Sequence, residues 1–349
     1  MKSSSRSASS NIQAIDELLA AGGLSRGRRL LRGEGWERRR HGTNPEDMPR
    51  QTPRRVVKSR IEVVQAPGWD AWPWLVHGFS TRTGGVTTSY GRGQRAGELN
   101  LGFSASDTRE NVLENRRRLL EALEGGVDAE LVTLRQIHSS LVRRVGREDA
   151  TREQPWKGDG MMTDEPGVVV AIQTADCIPV LVVDTKKRAV AAFHAGWRGT
   201  LKRIVESGVG RMRLEFGSRP EDLVAAIGPG IATCCYAVGE EVRSEFLSQF
   251  AYAPELFHEV TNSDPVREKY PMLFLTQRAP GHSNLGPSLH LDLMEANRRQ
   301  LLEAGLQAEA ITVVGDCTNC HNNRYFSYRA EQGLTGRMLS VVGVRQKEL

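Results

Sequence analysis

The stretch DGMMTDEPGVVVAIQTADCIPVLVVDTKKRAVAAFHAGWRG, residues 159–199, contains three short apolar runs separated by polar breaks. The runs cover residues 168–172, 178–183 and 189–193, and turn-forming residues stand between them. Short apolar runs bounded by turn residues are typical of buried strands. The stretch therefore predicts three buried strands, and we expect the rest of the fold to be organised around them.

Two reactive side chains lie at the breaks in this stretch. Cys177 stands before the second run and His194 follows the third, while His138 follows a predicted strand at residues 131–137. Two imidazoles and one thiolate can bind zinc and leave a fourth tetrahedral position open, as in catalytic zinc sites. Copper accepts the same ligand types. We therefore expect a metal site at His138, Cys177 and His194, with zinc as the first candidate and copper as the second.

The residues alone leave two other interpretations of these side chains open, because the three ligands are far apart in sequence. Cys177 is also a candidate nucleophile, with His194 or His138 as its base. In the third interpretation, they are a buried cysteine and two unrelated histidines. The metal interpretation requires a fold that brings all three together.

A second candidate site is the glycine-rich segment HGFSTRTGGVTTS, which starts at His77. It predicts the end of a strand and then a loop, where Gly84 and Gly85 permit positive φ and close approach of a ligand. Arg82 lies on this loop, and a guanidinium suits the oxyanions of phosphate or carboxylate. We predict a phosphate or substrate contact at Arg82; the alternative is a plain turn.

Basic charge is concentrated at the start of the chain. The 349 residues carry a formal net charge of +5, but residues 1–60 alone contain 14 Lys and Arg against 6 Asp and Glu. The remaining 33 basic and 36 acidic residues make the body slightly acidic, which argues against nucleic-acid binding. Residues 1–60, rich in Ser, Arg and Gly, predict a disordered basic leader, and residues 63–345 predict one large catalytic domain. The sequence has neither an apolar run of 18 residues nor an apolar signal segment, so we expect a cytoplasmic protein that does not enter a membrane.

The five cysteines do not predict a disulfide framework, because their number is odd and no export signal is present. The string CTNCH at Cys317 matches the attachment pattern of c-type haem, which we reject because that attachment requires export. A zinc ribbon requires a second CxxC, whereas Cys234 and Cys235 are adjacent. We therefore interpret Cys317 and Cys320 as residues of core packing or loop structure.

Helical periodicity and capping patterns predict three helices. One begins at Asp107, with Glu110 completing a capping box, and one follows the FHAGWRG string at residues 201–212. The third covers residues 290–304, with Asp292 and Glu295 as its capping pair. Further strands are predicted at residues 222–227, 311–314 and 338–344, and a polar surface excursion at residues 253–287.

A series of motifs now identifies a family that the chain resembles. In chain order, they are HGFSTRTGG, NLG, LRQIHS, DGMMTDEPGVVVAIQTADCIPVLVVD, FHAGWRGT, IGPGI with CCYAVGEEV, HLDLMEANRRQL, and CTNC followed by FSYR. Together they cover about residues 77–344. They resemble the multicopper polyphenol oxidase (laccase) family, also described as YfiH-like purine nucleoside phosphorylases or peptidoglycan editing factors.

The resemblance implies an α/β fold with mixed β-sheets layered with helices, and zinc bound by His138, Cys177 and His194. A true laccase needs several histidine-rich copper sites, whereas only seven His residues follow Gly42 here. The activities that the resemblance implies are phosphorolysis of adenosine, inosine and methylthioadenosine, together with adenosine deamination. The ligands would then be a purine nucleoside and phosphate.

Two alternatives to the phosphorylase stay open. Some bacterial relatives are associated with removal of a wrongly incorporated Ser from UDP-muramoyl peptide precursors, which predicts a hydrolase. A non-enzymatic redox or interaction protein would keep the fold and the zinc site but would turn over neither substrate.

Overall fold

The computed structural model describes residues 54–58, 61–90, 97–123, 129–260 and 288–346. All of these residues belong to one compact unit, Arg50–Leu349. Most of the predicted leader, residues 1–53, lies outside the described residues, as do residues 261–287 of the predicted polar excursion.

Fifteen strands occur within the described residues. They are β1 (Arg54–Lys58), β2 (Ile61–Gln65), β3 (Leu75–Ser80), β4 (Thr83–Thr87), β5 (Glu130–Thr133), β6 (Val142–Arg144), β7 (Gly160–Thr163), β8 (Val168–Thr174), β9 (Ile178–Asp184), β10 (Ala189–Ala195), β11 (Leu223–Ile227), β12 (Phe257–Val260), β13 (Ser288–Leu291), β14 (Ile311–Val313) and β15 (Met338–Val344). The helices are α1 (Arg109–Ala122), α2 (Trp197–Leu201), α3 (Ile204–Phe216), α4 (Glu240–Gln249) and α5 (Leu293–Glu303).

Two six-stranded mixed sheets form the centre of the fold. The first has the order β1–β2–β3–β15–β8–β5, with β5 parallel to β8 and the other neighbours antiparallel. The second has the order β14–β11–β9–β10–β7–β6, with parallel pairs at its two edges. Strands β12 and β13 form a separate antiparallel pair.

The two sheets pack face to face over an apolar core, and helices cover their outer faces. Side chains such as Phe79 from the first sheet and Leu181 from the second meet in this core. Helix α1 packs on the first sheet through Leu119, and helices α3 and α5 pack on the second through Met212 and Leu301. Each such buried side chain contributes roughly 1.5–3 kcal/mol. The predicted α/β class, with mixed sheets layered with helices, is therefore confirmed.

The stretch that opened the sequence analysis forms β8, β9 and β10, as predicted. Strand β8 belongs to the first sheet and β9 to the second, so the short turn between them crosses from one sheet to the other. Cys177 lies in this turn. His194 lies within β10, whereas the sequence placed it after the strand.

Several element boundaries differ from the predictions. Helix α1 is capped by Thr108, whose side chain accepts a hydrogen bond from the backbone N–H of Asn111, instead of by Asp107. The helix predicted at residues 201–212 is two helices, separated by a left-handed Arg203 with φ of 57°. The predicted cap of α5 is confirmed, because Asp292 accepts from the backbone N–H of Glu295.

Two elements lie where no regular structure was predicted. Strand β1 lies inside the range assigned to the leader and pairs with β2, so the first sheet starts before residue 63. Strand β12 lies inside the predicted polar excursion and pairs with β13. Within the described ranges, no helix has both the length and the apolarity needed to cross a membrane.

Candidate metal centre

The structure brings His138, Cys177 and His194 together at one end of the sheets. Their nearest ligand atoms, two imidazole nitrogens and one sulfur, all lie within 4.8 Å of one another. The two imidazole rings have centroids 5.0 Å apart and are inclined at 70°. His194 is buried, Cys177 is partly buried and His138 is exposed. The cluster is therefore accessible to solvent on the side of His138.

Asp159 orients the buried histidine. It directly precedes β7, which pairs with β10, and its backbone carbonyl accepts from the backbone N–H of His194 at 2.7 Å. Its side chain is fully buried and lies 2.9 Å from Nδ1 of His194. Because a carboxylate only accepts hydrogen bonds, Nδ1 donates, which leaves Nε2 free to bind a metal.

The same carboxylate fixes the loop that carries His138. It accepts backbone N–H groups from Ile137 at 3.2 Å, His138 at 2.9 Å and Ser139 at 2.6 Å, and the Ser139 hydroxyl at 2.7 Å. His138 is held with a φ of 56°, in the left-handed region that is uncommon for residues other than glycine. The predicted strand ends at Thr133, so a loop bound to Asp159, and not a strand, positions this histidine.

The turn that carries Cys177 is fixed by its neighbour Asp176, which has a φ of 91°. One carboxylate oxygen of Asp176 accepts from the Thr318 hydroxyl at 2.6 Å, and the other accepts from the backbone N–H of Arg329 at 2.7 Å. The backbone carbonyl of Asp176 accepts from Ile231 at 2.7 Å. Contacts from two distant loops therefore determine where the sulfur lies.

Charges within the cluster stabilise one another. Burial opposes ionisation of the Cys177 thiol, but the imidazoles of His194 and His138 outweigh it and lower its pKa to about 6. Burial also opposes protonation of His194, but the Cys177 thiolate and Asp159 raise its pKa to about 9. Despite its burial, the pKa of Asp159 stays well below its usual range, because His194 and Ser139 donate to it. A thiolate, the form that binds metals and attacks electrophiles, is thus favoured at neutral pH.

Gly196 allows the three ligands to approach closely. A Cβ atom at this position would lie 2.9 Å from Sγ of Cys177 and 3.3 Å from Cδ2 of His138. The glycine of the FHAGWRG string is therefore required by the space that the cluster occupies.

Three further residues border the centre and were not predicted as site residues. Tyr236 lies close enough for the Cys177 thiolate to act on it: burial first, and then that charge, raise the pKa of its phenol. Arg329 lies with its guanidinium 5.6 Å from the centroid of the Tyr236 ring, and the positive charges of Arg329 and Arg198 act on the pKa of Tyr236 in the opposite direction. Arg198, in the FHAGWRG string, was the member that the sequence could have indicated, since it follows His194 so closely.

The sequence predicted a phosphate or substrate contact at Arg82. Its guanidinium is buried and forms ion pairs with Glu98 at 2.6 Å and Glu331 at 2.9 Å. It also donates to the backbone carbonyl of Asn322 at 2.6 Å and lies 4.5 Å from the centroid of the Phe326 ring. These internal partners give Arg82 a structural role, and its predicted phosphate or substrate contact stays a prediction.

The remaining four cysteines form a group that the sequence did not predict. Cys234, Cys235, Cys317 and Cys320 form a second group, with all four sulfur atoms within 4.8 Å of one another. Cys317 is buried, as core packing requires, whereas Cys234 and Cys320 are exposed, so core packing alone does not account for the group.

The donor set of the first group fits a single zinc ion. Two imidazoles and one thiolate leave an open position, and the Asp159 contact to His194 is the kind of outer partner that metal-binding histidines have. Among the described residues, this is the one metal-type group that contains histidine, and it offers three donors. Several histidine-rich copper sites, as a laccase requires, do not fit these residues.

Comparisons with known proteins show which family the chain matches. A family model described as multi-copper polyphenol oxidoreductase laccase matches residues 76–345. The chain is 34% identical over 291 residues to "Purine nucleoside phosphorylase YlmD" of Geobacillus stearothermophilus, and the aligned residues cover 80% of this chain and 97% of the relative. It is 37% identical over 272 residues to a purine nucleoside phosphorylase of Deinococcus radiodurans, covering 78% of this chain and 90% of the relative.

Solved structures share the fold. The hypothetical protein YfiH of Bacillus licheniformis superposes with a TM-score of 0.68 at 28% identity, covering 84% of this chain and 99% of that one. YlmD of Geobacillus stearothermophilus gives a TM-score of 0.65 at 31% identity, covering 82% and 97%.

Proposed function

The chain belongs to the multi-copper polyphenol oxidoreductase laccase family, and from this membership we propose that it is a zinc-dependent purine nucleoside phosphorylase. Its substrates are adenosine, inosine and methylthioadenosine. The observation that supports the proposal is the convergence of His138, Cys177 and His194 into one group of candidate metal ligands. Relatives that match nearly over their full length are named purine nucleoside phosphorylases.

In the proposed reaction, a phosphate oxygen forms a bond to C1′ of the ribose while the bond from C1′ to the purine nitrogen breaks. The electron pair of that bond leaves with the base, which takes up a proton, and ribose 1-phosphate is released (5-methylthioribose 1-phosphate from methylthioadenosine). A zinc ion bound by His138, Cys177 and His194 would supply a Lewis acid at the open side of the centre.

The other residues around the centre have complementary tasks. Arg198 is exposed, with its guanidinium 4.3 Å from the centroid of the Trp197 ring, and we assign it to phosphate binding. Tyr236 keeps its proton at neutral pH, because burial and the Cys177 thiolate raise its pKa. Its hydroxyl can therefore donate a hydrogen bond to the departing base. Asp159 holds both histidines in place and takes no part in bond breaking.

The test measures metal content and turnover on the same purified protein. We expect about one zinc per chain at this centre and phosphate-dependent release of adenine or hypoxanthine. His194→Ala should lose both the zinc of this centre and the activity. His258→Ala, which removes an exposed histidine of β12, should lose neither. Turnover by His194→Ala without the zinc of this centre would overturn the proposal, and copper in place of zinc would overturn the metal assignment.

Arg198 provides a separate test of phosphate binding. Arg198→Ala should raise the KM for phosphate about tenfold or more, since a charge-assisted hydrogen bond contributes about 1.5–3 kcal/mol. Lys202→Ala removes an exposed cation close by in the chain and should leave that KM unchanged. Equal effects of both substitutions would show that only general charge matters.

Deamination of adenosine is the second activity that we assign to the same centre. It replaces the exocyclic amine at C6 with oxygen from water and releases ammonia. Phosphate is not a reactant, so inosine should form from adenosine in phosphate-free buffer. Failure to form inosine there would remove this activity while leaving the phosphorylase intact.

A hydrolase acting on cell-wall precursors is the alternative function, and the low pKa of Cys177 beside His194 favours it. In that case, UDP-muramoyl peptide carrying Ser should be turned over faster than any nucleoside. An intact zinc centre with no turnover of either substrate would instead favour a non-enzymatic protein.

A further inference from the structure

The four cysteines outside the catalytic cluster come from two turns that are distant in sequence. Cys234 and Cys235 lie in the turn after β11, and Cys317 and Cys320 lie in the turn after β14. Because β11 and β14 are parallel neighbours, both turns leave the same edge of the second sheet. A bridge between Gly230 and Cys317 extends this pairing into the turns.

The sulfur atoms have the spacing of ligands around a single ion. Sγ of Cys320 lies 3.5 Å from Sγ of Cys234 and 3.4 Å from Sγ of Cys235, and all four sulfurs lie within 4.8 Å of one another. Four thiolates about 2.3 Å from a tetrahedral zinc would lie about 3.8 Å apart. Cys320 is nearly equidistant from two partners, so the arrangement selects no single disulfide pair.

The surrounding backbone supports bound thiolates. The N–H of Ala232 points to Sγ of Cys317 at 3.4 Å, a contact that stabilises negative charge on sulfur. The N–H of Thr318 donates to the carbonyl of Gly230 at 3.0 Å, which ties the two turns together. Two of the four thiols are exposed, whereas cysteines that serve only packing are typically buried.

We propose that Cys234, Cys235, Cys317 and Cys320 bind a second zinc ion in a closed, structural site. Four sulfur ligands leave no position for substrate, so this ion stabilises structure and takes no part in the reaction. Its task follows from what the two turns contact. Thr318 and Ile231 both bind Asp176, the neighbour of Cys177, and Tyr236 directly follows Cys235. The second ion therefore fixes the loops that border the catalytic centre.

The first test is the zinc content of three purified proteins. The wild type should contain about two zinc ions per chain, and both Cys234→Ser/Cys320→Ser and Cys177→Ala should contain about one. Because Cys177→Ala removes a ligand of the other centre, the two variants should each lose a different ion. A wild type with about one zinc, unchanged in the double serine variant, would overturn the proposal. Iron in place of the second zinc would also overturn it.

Cobalt(II) gives a test that does not depend on counting. In the Cys177→Ala background, any absorption from sulfur-to-cobalt charge transfer must come from the four cysteines. It should be present in Cys177→Ala and weaker after Cys320→Ser is added, with unchanged circular dichroism as the control for folding. Absence of the band in folded Cys177→Ala would contradict the proposal.

The competing interpretation is a redox-active disulfide between two of the four cysteines. A count of free thiols distinguishes this disulfide from the zinc site. Alkylation of the denatured wild type without reductant, after removal of metal, should modify five cysteines. Three modified cysteines would indicate one disulfide and would overturn the zinc site. Amide hydrogen exchange of residues 231–237 should be faster in Cys234→Ser/Cys320→Ser than in the wild type, and equal rates would contradict the anchoring role.

Discussion

The two cysteine-containing clusters are both connected to Asp176, yet they differ in the number and type of their ligands. The first has two imidazoles and one thiolate, and the second has four thiols in surface turns. Three ligands leave an open position, which suits catalysis, whereas four close the coordination shell, which suits structure. The same chain thus contains an open and a closed set of candidate metal ligands, and Asp176, which fixes Cys177, contacts the turns of the second set.

The two clusters also differ in the groups that position their ligands. Asp159 accepts from His194 Nδ1 and from the backbone of His138, so a buried carboxylate holds the mixed-ligand centre. The four-cysteine cluster instead depends on backbone hydrogen bonds such as Thr318 to Gly230. A buried side chain thus positions the ligands of the first cluster, whereas hydrogen bonds between the backbones of the two turns position the ligands of the second.

The largest expected effect is the loss of activity on chelation, which should distinguish the two clusters by the order in which they lose their ions. Incubation with EDTA should remove the ion at the open centre first, and phosphorolysis should fall about 10³-fold or more, because a Lewis acid supplies several kcal/mol. The closed four-cysteine site should release its zinc later. A time course of zinc release and activity measures both, with Cys234→Ser/Cys320→Ser as the control that lacks the slow phase. Activity that survives loss of the first ion would break the comparison.

A second buried histidine sharpens the comparison, because burial outweighs the effect of its nearby carboxylate, Asp70, on its pKa. Burial in β3 beside Trp69 lowers the pKa of His77 to about 4, whereas the anionic partners of His194 raise its pKa to about 9. The folded-state pKa of His77 lies below the value of about 6.5 in an unfolded chain. The unfolded chain therefore binds more protons between these values, and stability is complete above pH 6.5 and falls as the pH falls to 4.

The expected size of this effect is about 3 kcal/mol at its upper limit, from roughly 1.36 kcal/mol for each pKa unit. Urea unfolding at pH 7 and at pH 4 should show that His77→Leu loses less stability on acidification than the wild type. Both proteins keep the metal ligands and Asp159, so the difference between them isolates His77. Identical losses in the two proteins would show that His77 does not contribute.

Local patterns in the sequence were sufficient for the three central strands and for two of the side chains that meet beside them. Apolar runs gave β8, β9 and β10, and the polar breaks between them gave Cys177 and His194, because a buried strand and the turn beside it are encoded within a few residues. His138 came from a neighbouring motif. The family resemblance, confirmed by the match over residues 76–345, joined the three and implied the layered fold.

Long-range pairing explains what the sequence did not predict. Cys234 meets Cys320 across 86 residues, and only the parallel pairing of β11 with β14 brings their turns together. The glycine-rich loop predicted a phosphate contact at Arg82, but it gave no sign of the ion pair with Glu331, which lies 249 residues away in sequence. No local pattern shows which distant carboxylate will neutralise a buried guanidinium.

Asp159 gives the last and smallest prediction, which tests whether its support is specific to the mixed-ligand centre. Asp159→Asn keeps the size of the side chain but removes the charge that holds His194 Nδ1 and the backbone of His138, so zinc affinity there should fall about 10–100-fold. Asp184→Asn is the matched control, because Asp184 is also fully buried and accepts from the backbone of Lys186. It lies at the far end of β9 from Cys177. Competition with a chromophoric chelator should show weaker binding of one ion in Asp159→Asn and of neither in Asp184→Asn. Weaker binding at the four-cysteine cluster as well would mean that the two sites act as one unit, since Asp176 would then transmit the disturbance between them.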